Sequence, residues 1–131
     1  MRLGEKQELF AQLLPRLIDR AHIFGFQVRM GDLYRDPRYH GDVGEHGALW
    51  ITDMLSALGI GAPREMYGYH KSCHKLKLAV DLNLFFNGEF LQKTSDHEEL
   101  GEWWEQQHEL CRWGGRFNDG NHYSLEHNGM R

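Results

Sequence analysis

An alternating strand that runs into a two-residue turn constrains this chain more than any other feature. In residues 78–86, Val80, Leu82, Leu84 and Phe86 lie on one face, and Asp81 lies on the other. The next two residues are Asn-Gly, the strongest two-residue hairpin signal, and residues 89–91 would be the returning strand. The sequence therefore predicts an antiparallel sheet built around this hairpin.

Helical spacing of apolar residues indicates three helices around that hairpin. Residues 5–24 and 48–58 both place apolar side chains three and four positions apart. Ser95 and Glu98 fit a capping box for a third helix, which we expect to run on until residues 113–115, Trp-Gly-Gly, break it. The helices are thus separated from the hairpin in sequence.

Two further strands would complete the sheet. Residues 26–30 form a short β-prone run between glycines, and residues 116–125 would return to the sheet as the last strand. The polar residues 126–131 are expected to fray. We therefore expect a single α+β domain over residues 1–131, with a mainly antiparallel sheet, flanking helices and a metal site in a surface cleft.

The charge and the N-terminus exclude several classes of partner. The net charge is −4 and the basic residues are scattered, which does not fit a nucleic-acid-binding face or a polybasic membrane anchor. No apolar run approaches the length of a membrane span, and the first residues lack the pattern of a signal peptide. We expect a monomer that is made in the cytoplasm and acts elsewhere only after release.

Cysteine and histidine usage points towards a metal rather than disulfides. The two cysteines, Cys73 and Cys111, are expected to be reduced thiols. Nine histidines are unusual for 131 residues, and histidine is the commonest zinc ligand. Five of them have no partner at ligand spacing and are expected to be solvated, namely His22, His40, His46, His97 and His108.

His74 and Asp81 are the first two candidate metal ligands. They are seven residues apart, and an odd spacing forbids a shared face on one regular strand. Residues 75–77 must therefore turn or bulge to bring His74 beside the face that carries Asp81. A catalytic zinc site needs three protein ligands, and His122 is the best candidate for the third.

Two further residues could supply chemistry next to such a metal. Asp119 lies three positions before His122, so its carboxylate could take a proton from water and return it to a leaving amine. Arg35 could stabilise the oxyanion of the reaction. The spacing alone is a modest signal, because short motifs often arise by chance.

A family resemblance joins these residues. Ser72-x-His74-x-x-x-x-Ala79-x-Asp81 resembles the Ser-x-His-x-x-Gly-x-Ala-x-Asp signature of the zinc D-alanyl-D-alanine carboxypeptidases and L-alanyl-D-glutamate endopeptidases, which include phage endolysins. Asp119 and His122 match the second signature of that family. The stretch 112–125 is similar to its Trp-Gly-Gly segment, and the likeness covers roughly residues 26–125.

The resemblance implies a role for each candidate. It implies that His74, Asp81 and His122 bind Zn²⁺, that Asp119 is the general base, and that Arg35 is the oxyanion partner. Two more residues are expected to bind substrate or to support the ligands, namely Ser72 and Trp113.

Plainer interpretations remain for each position. Asp81 could be a solvated strand carboxylate, and His122 could be a core histidine. Arg35 could pair with a neighbouring aspartate, and Ser72 could be an ordinary turn residue. Lys77 stands where the family has glycine, so the turn after His74 is expected to be strained or altered if that position needs a positive φ.

The resemblance implies a zinc peptidase that cuts peptidoglycan stem peptides. Within that class, an endolysin-type L-alanyl-D-glutamate endopeptidase is favoured over a D-alanyl-D-alanine carboxypeptidase or dipeptidase, because no residue stands out as a cationic partner for a terminal carboxylate. The alternative from another class is a non-catalytic, metal-containing domain that binds the cell wall or forms part of a virion.

Overall fold

A computed structural model describes residues 1–34 and 72–131 of the chain. The predicted helix over residues 48–58 and the candidate Arg35 lie outside the described residues. The helices and strands of the described part are α1 (Leu3–Ile23), β1 (Gln27–Met30), β2 (Ala79–Phe86), β3 (Glu89–Leu91), α2 (Glu98–Glu105), β4 (Cys111–Trp113) and β5 (His122–Leu125).

The five strands form one antiparallel sheet centred on β2. The strand order is β1-β2-β5-β4, and β3 also pairs with β2. β5 pairs with the first part of β2, whereas β3 pairs with its end. Asn87 and Gly88 have φ values of 49° and 80°, as the predicted Asn-Gly hairpin requires.

Both described helices contribute to one core with the sheet. α1 buries Leu13, Leu17 and Ala21, the spacing predicted from its sequence, and Pro15 lies on its exposed side. α2 contributes Leu100 and Trp104, both fully buried. The expected α+β class with a mainly antiparallel sheet is therefore confirmed.

The region after the hairpin differs from the prediction in three ways. The last strand, predicted over residues 116–125, begins only at His122, because residues 114–117 form a 3₁₀ turn. α2 ends at Glu105, well before Trp113, and after residues 106–110 the chain returns as β4, a strand that the sequence did not predict. The predicted capping box at Ser95 is also wrong, because Asp96 Oδ2 instead accepts a hydrogen bond from Lys93 N at 3.0 Å. The β-signal of β4 is weak because the strand has only three residues.

The C-terminal residues are more ordered than expected. His127 and Met130 form a small antiparallel bridge, and Lys6 Nζ on α1 donates to the Glu126 carbonyl oxygen at 3.2 Å. The tail therefore packs against the first helix. Among the described residues, no helix is both long enough and apolar enough to cross a membrane.

Candidate metal centre

The pairing of β2 with β5 places two candidate ligands side by side. Asp81 and His122 are direct partners in the antiparallel register. Directly paired residues project to the same face of a sheet, with Cβ atoms roughly 5 Å apart. Two side chains that are some forty positions apart in sequence are therefore neighbours because of the sheet register.

A short 3₁₀ turn supplies the third side chain. His74 lies in the turn Cys73–Leu76, and Ser72 Oγ accepts a hydrogen bond from His74 N at 3.2 Å. Leu78 N donates to Cys73 O at 2.9 Å, which closes the turn against the start of β2. The turn that the odd spacing required is thus present, and Ser72 stabilises it.

Lys77 ends this turn in the left-handed region. Its φ and ψ are 59° and 35°, a conformation that favours glycine over a residue with a Cβ atom. Its ammonium lies 5.1 Å from the centre of the Tyr34 ring, a favourable cation–π contact. Lysine therefore keeps the required turn at some cost in backbone energy.

The three candidate ligand atoms converge on one point. His74 Nε2 lies 3.2 Å from Asp81 Oδ1, and His122 Nδ1 lies 3.4 Å from the same oxygen. The two ring nitrogens are themselves 3.2 Å apart. Both histidines are buried, and the Asp81 side chain is 20% exposed. Asp81 is therefore not a solvated strand carboxylate.

The protonation of His74 makes this convergence unusual. His74 Nδ1 lies 3.2 Å from the Leu33 carbonyl oxygen, which can only accept, so Nδ1 carries the proton and donates it. The Nε2 atom of a neutral ring then presents a lone pair to Asp81 Oδ1. Among the described residues, that oxygen is buried without a well-formed hydrogen bond, as is His122 Nε2.

A cation would resolve this crowding of acceptors. His74 Nε2, Asp81 Oδ1 and His122 Nδ1 all need a positive partner, and the one proton that His122 can supply serves only part of the group. Protonation of the two rings would also supply positive partners: burial raises the pKa of Asp81, but hydrogen bonds and charge from protonated His122 and His74 outweigh it and lower the pKa to about 2. The group His74, Asp81 and His122 could therefore hold a metal ion.

Asp119 lies at the edge of the group. Its Oδ2 is 3.9 Å from His122 Nδ1, and its side chain is 52% exposed. It precedes β5 by a tight turn, in which His122 N donates to Asp119 O at 3.1 Å. The Asp119 carboxylate is thus close to His122 and open to solvent.

Trp113 holds the loop that carries Asp119. Its indole Nε1 donates to Gly120 O at 2.7 Å, and its ring is packed between Gly101 and Gly115, where a Cβ atom would collide with it. A Cβ atom on Gly114 would likewise collide with Asp119 O. Trp113 is only 3% exposed, so it lies in the core and supports the loop rather than lining a cleft.

The remaining candidates are placed as follows. Arg35 lies outside the described residues. Cys73 Sγ donates to Leu125 O at 3.4 Å and is not part of the metal group. Both cysteines are buried free thiols, and burial raises the pKa of Cys73 to about 11.

The prediction that His97 is solvated is wrong. Its side chain is 3% exposed, and its Nδ1 lies 2.8 Å from the Tyr123 hydroxyl. Burial lowers the pKa of His97 to about 4, so its ring is neutral at pH 7. In the sequence, only Leu100 signals this burial, because it is an apolar residue three positions later, in the first turn of α2.

A polar cavity lies next to Asp119. Its volume is about 280 Å³, and His97 and Asp119 both line it. The end of β3, the turn before α2 and the loop before β5 form its walls. The sequence did not predict this cavity, since its lining residues come from separate segments.

No family model matches the chain, and no curated protein matches it. The function is therefore inferred from the geometry of the site.

Proposed function

We propose that this chain is a Zn²⁺-dependent peptidase that cuts peptidoglycan stem peptides as an L-alanyl-D-glutamate endopeptidase of the endolysin type. The observation that carries the proposal is the convergence of His74 Nε2, Asp81 Oδ1 and His122 Nδ1, with Asp119 at its edge. These are the four residues that the resemblance had assigned to the metal and to proton transfer.

The donor set suits zinc. Two imidazole nitrogens and one carboxylate oxygen match the three protein ligands of known catalytic zinc sites, which keep a further position open. Bound zinc would lower the pKa of water and polarise the scissile carbonyl. His74 is held for this role by its Nδ1–H bond to Leu33 O, the kind of outer contact that orients a metal-binding imidazole.

The other residues would carry the proton and the charge. Asp119 would accept a proton from the attacking water, whose oxygen joins the carbonyl carbon. The same carboxyl would then give the proton to the leaving nitrogen as the C–N bond breaks. Arg35 would stabilise the oxyanion. It follows Leu33 by two positions in the sequence, and the Leu33 carbonyl oxygen contacts His74.

Digestion of purified peptidoglycan tests this function. Zinc-loaded protein should release fragments with new N-terminal glutamate, identified by mass spectrometry, and Asp119→Asn should lower the rate at least about 100-fold while keeping its zinc. Asp19→Asn removes an exposed carboxylate on α1, outside the metal group, and is the matched control.

Other outcomes separate the alternatives. Released D-alanine without new N-terminal glutamate would replace the endopeptidase with a carboxypeptidase or dipeptidase. Retention of zinc without hydrolysis of any stem peptide would support the non-catalytic wall-binding or virion domain instead.

A further inference from the structure

The cavity beside Asp119 is the feature that the proposed function does not use. Its volume of about 280 Å³ lies just below the range of pockets for drug-sized ligands, so it fits one or two amino-acid units. Asp119 belongs both to its wall and to the edge of the metal group, 3.9 Å from His122 Nδ1. A substrate that reaches the metal can therefore extend into this cavity.

The lining of the cavity is polar. Asn83, Asn121 and Thr94 bring amide and hydroxyl groups, and Asn121 Nδ2 lies 3.5 Å from Asn83 Oδ1. Phe90 forms part of the rim and stacks on Phe85 at a ring separation of 5.0 Å. Such walls suit a small polar ligand with a short aliphatic stem.

The charges of the lining favour an anionic group. Lys93 is exposed and lines the cavity. No carboxylate among residues 1–34 and 72–131 forms an ion pair with its ammonium group. His97 is neutral, so among the described lining residues Lys93 is the cation and Asp119 the anion. A ligand carboxylate would be stabilised by the Lys93 ammonium group.

The role of Asp119 decides which part of the substrate enters. A carboxyl that protonates the leaving nitrogen must lie within hydrogen-bond reach of that nitrogen. Because Asp119 also lines the cavity, the residue that leaves as the amine lies on the cavity side of the scissile bond. In the favoured endopeptidase reaction that residue is glutamate, which keeps one carboxyl group outside the peptide chain.

We infer that this cavity is the subsite for the leaving-group residue, and that Lys93 binds a free carboxylate on that residue. This assignment rests on the proposed function. The carboxylate has two possible sources, the unlinked carboxyl of an internal glutamyl residue or the C-terminal carboxyl of a released alanine. Lys93 is thus a specificity-determining residue that the sequence pattern did not reveal.

Paired substrates test the assignment. L-Alanyl-D-glutamyl-L-lysine is compared with its counterpart in which the unlinked glutamyl carboxyl is an amide. A peptide ending in D-alanyl-D-alanine is compared with its C-terminal amide. Wild-type protein should prefer the free acid of one pair by about tenfold in kcat/KM, and that pair identifies the source.

Variants of two basic residues locate the effect. Lys93→Gln should remove the preference, mainly by raising KM for the free acid, while kcat stays within about twofold. Arg16→Gln also removes one positive charge from the surface, on α1, and should keep the full preference. An undiminished preference in Lys93→Gln would overturn the assignment.

Binding of the leaving product separates the subsite from the peptidase function. In an NMR titration, D-glutamyl-L-lysine should shift the amide signals of Thr94, Gly120 and Asn121 in wild-type protein and not in Lys93→Gln. Lys93-dependent binding without cleavage of any peptide would keep the subsite and reject the peptidase. Cleavage with neither acid preference nor binding would reject the subsite alone, and the absence of both cleavage and binding would reject both.

Discussion

Two buried histidines in this protein have the same exposure and opposite surroundings. His74 and His97 are each 3% exposed. His97 meets the Tyr123 hydroxyl, which can donate or accept, so the pair is satisfied without any further group. His74 Nε2 instead faces a carboxylate oxygen and a second ring nitrogen. Burial alone therefore does not distinguish the two histidines, whereas the convergence of acceptor atoms around His74 does.

The largest effect is expected when the Asp81 carboxylate is removed. Asp81→Ala should lower zinc affinity more than about 100-fold, because it removes a direct ligand rather than an outer contact. When free zinc is 1,000 times the wild-type dissociation constant, it should also lower the stabilisation by zinc from about 4 kcal/mol to about 1.4 kcal/mol or less. Calorimetric titration and thermal unfolding with and without zinc measure both effects.

Asp19→Ala is the matched control, since Asp19 is exposed on α1. It should keep both the affinity and the stabilisation. An Asp81→Ala protein with full zinc occupancy and an unchanged melting temperature would show that Asp81 is not a ligand.

The second test concerns His97, whose ring is hydrogen-bonded to Tyr123. The pKa of His97 is lowered from 6.5 to about 4 in the folded protein, so between these values the unfolded chain binds the proton and the folded chain does not. Stability therefore rises with pH across this window and is lost as pH falls from about 6.5 to 4, by up to roughly 3 kcal/mol.

Urea unfolding of metal-free protein at several pH values measures this slope. His97→Gln should flatten it in that window, and the zinc stoichiometry of the variant should stay at one. An equal slope in both proteins would show that His97 does not cause the acid sensitivity. Loss of zinc in His97→Gln would show instead that zinc binding depends on His97.

A third test weakens the loop before β5, which carries Asp119. Trp113→Phe removes the hydrogen bond from Nε1 to Gly120 O and should lower the free energy of unfolding by about 1–2 kcal/mol. Peptide cleavage should fall because Asp119 is less well held, while zinc affinity should change little. Chemical unfolding, kinetics and zinc titration give the three values.

Trp104→Phe is the control for this loss. Trp104 is also buried and donates from Nε1 to two carbonyl oxygens, but it lies on α2. It should lose comparable stability and retain cleavage under folding conditions. If both variants lose cleavage equally, Trp113 has no particular role in positioning Asp119.

The smallest expected effect is at the turn that delivers His74. Lys77→Gly should raise the free energy of unfolding by about 0.5–1 kcal/mol, because relief of the left-handed strain outweighs the lost cation–π contact. Asn128→Gly, at a φ of 50°, is the control and should change less, because asparagine tolerates this region. Denaturant midpoints resolve the difference, and a destabilised Lys77→Gly would show that the lysine contact matters more than the strain.

The sequence predicted those parts of the molecule that depend on local pattern. The alternation around Asp81 and the Asn87-Gly88 turn gave the hairpin, and the odd spacing from His74 required a turn where the structure has one. The register that pairs Asp81 with His122 follows from the whole sheet, so the motif resemblance rather than periodicity pointed to it.

Other features could not be predicted because they depend on tertiary contacts. Cys111–Trp113 is too short to give a strand signal and is fixed by pairing with β5. His97 is buried because Tyr123, a distant residue, offers a hydroxyl. The cavity beside Asp119 likewise brings together residues from separate segments.

Anomalous diffraction at the zinc edge, from crystals grown with zinc, locates any zinc ion bound by His74, Asp81 and His122. We expect one strong peak within about 2.0–2.2 Å of His74 Nε2, Asp81 Oδ and His122 Nδ1, with none beside His97. A peak bound by other residues, or no peak at these three atoms in zinc-saturated crystals, would contradict this expectation.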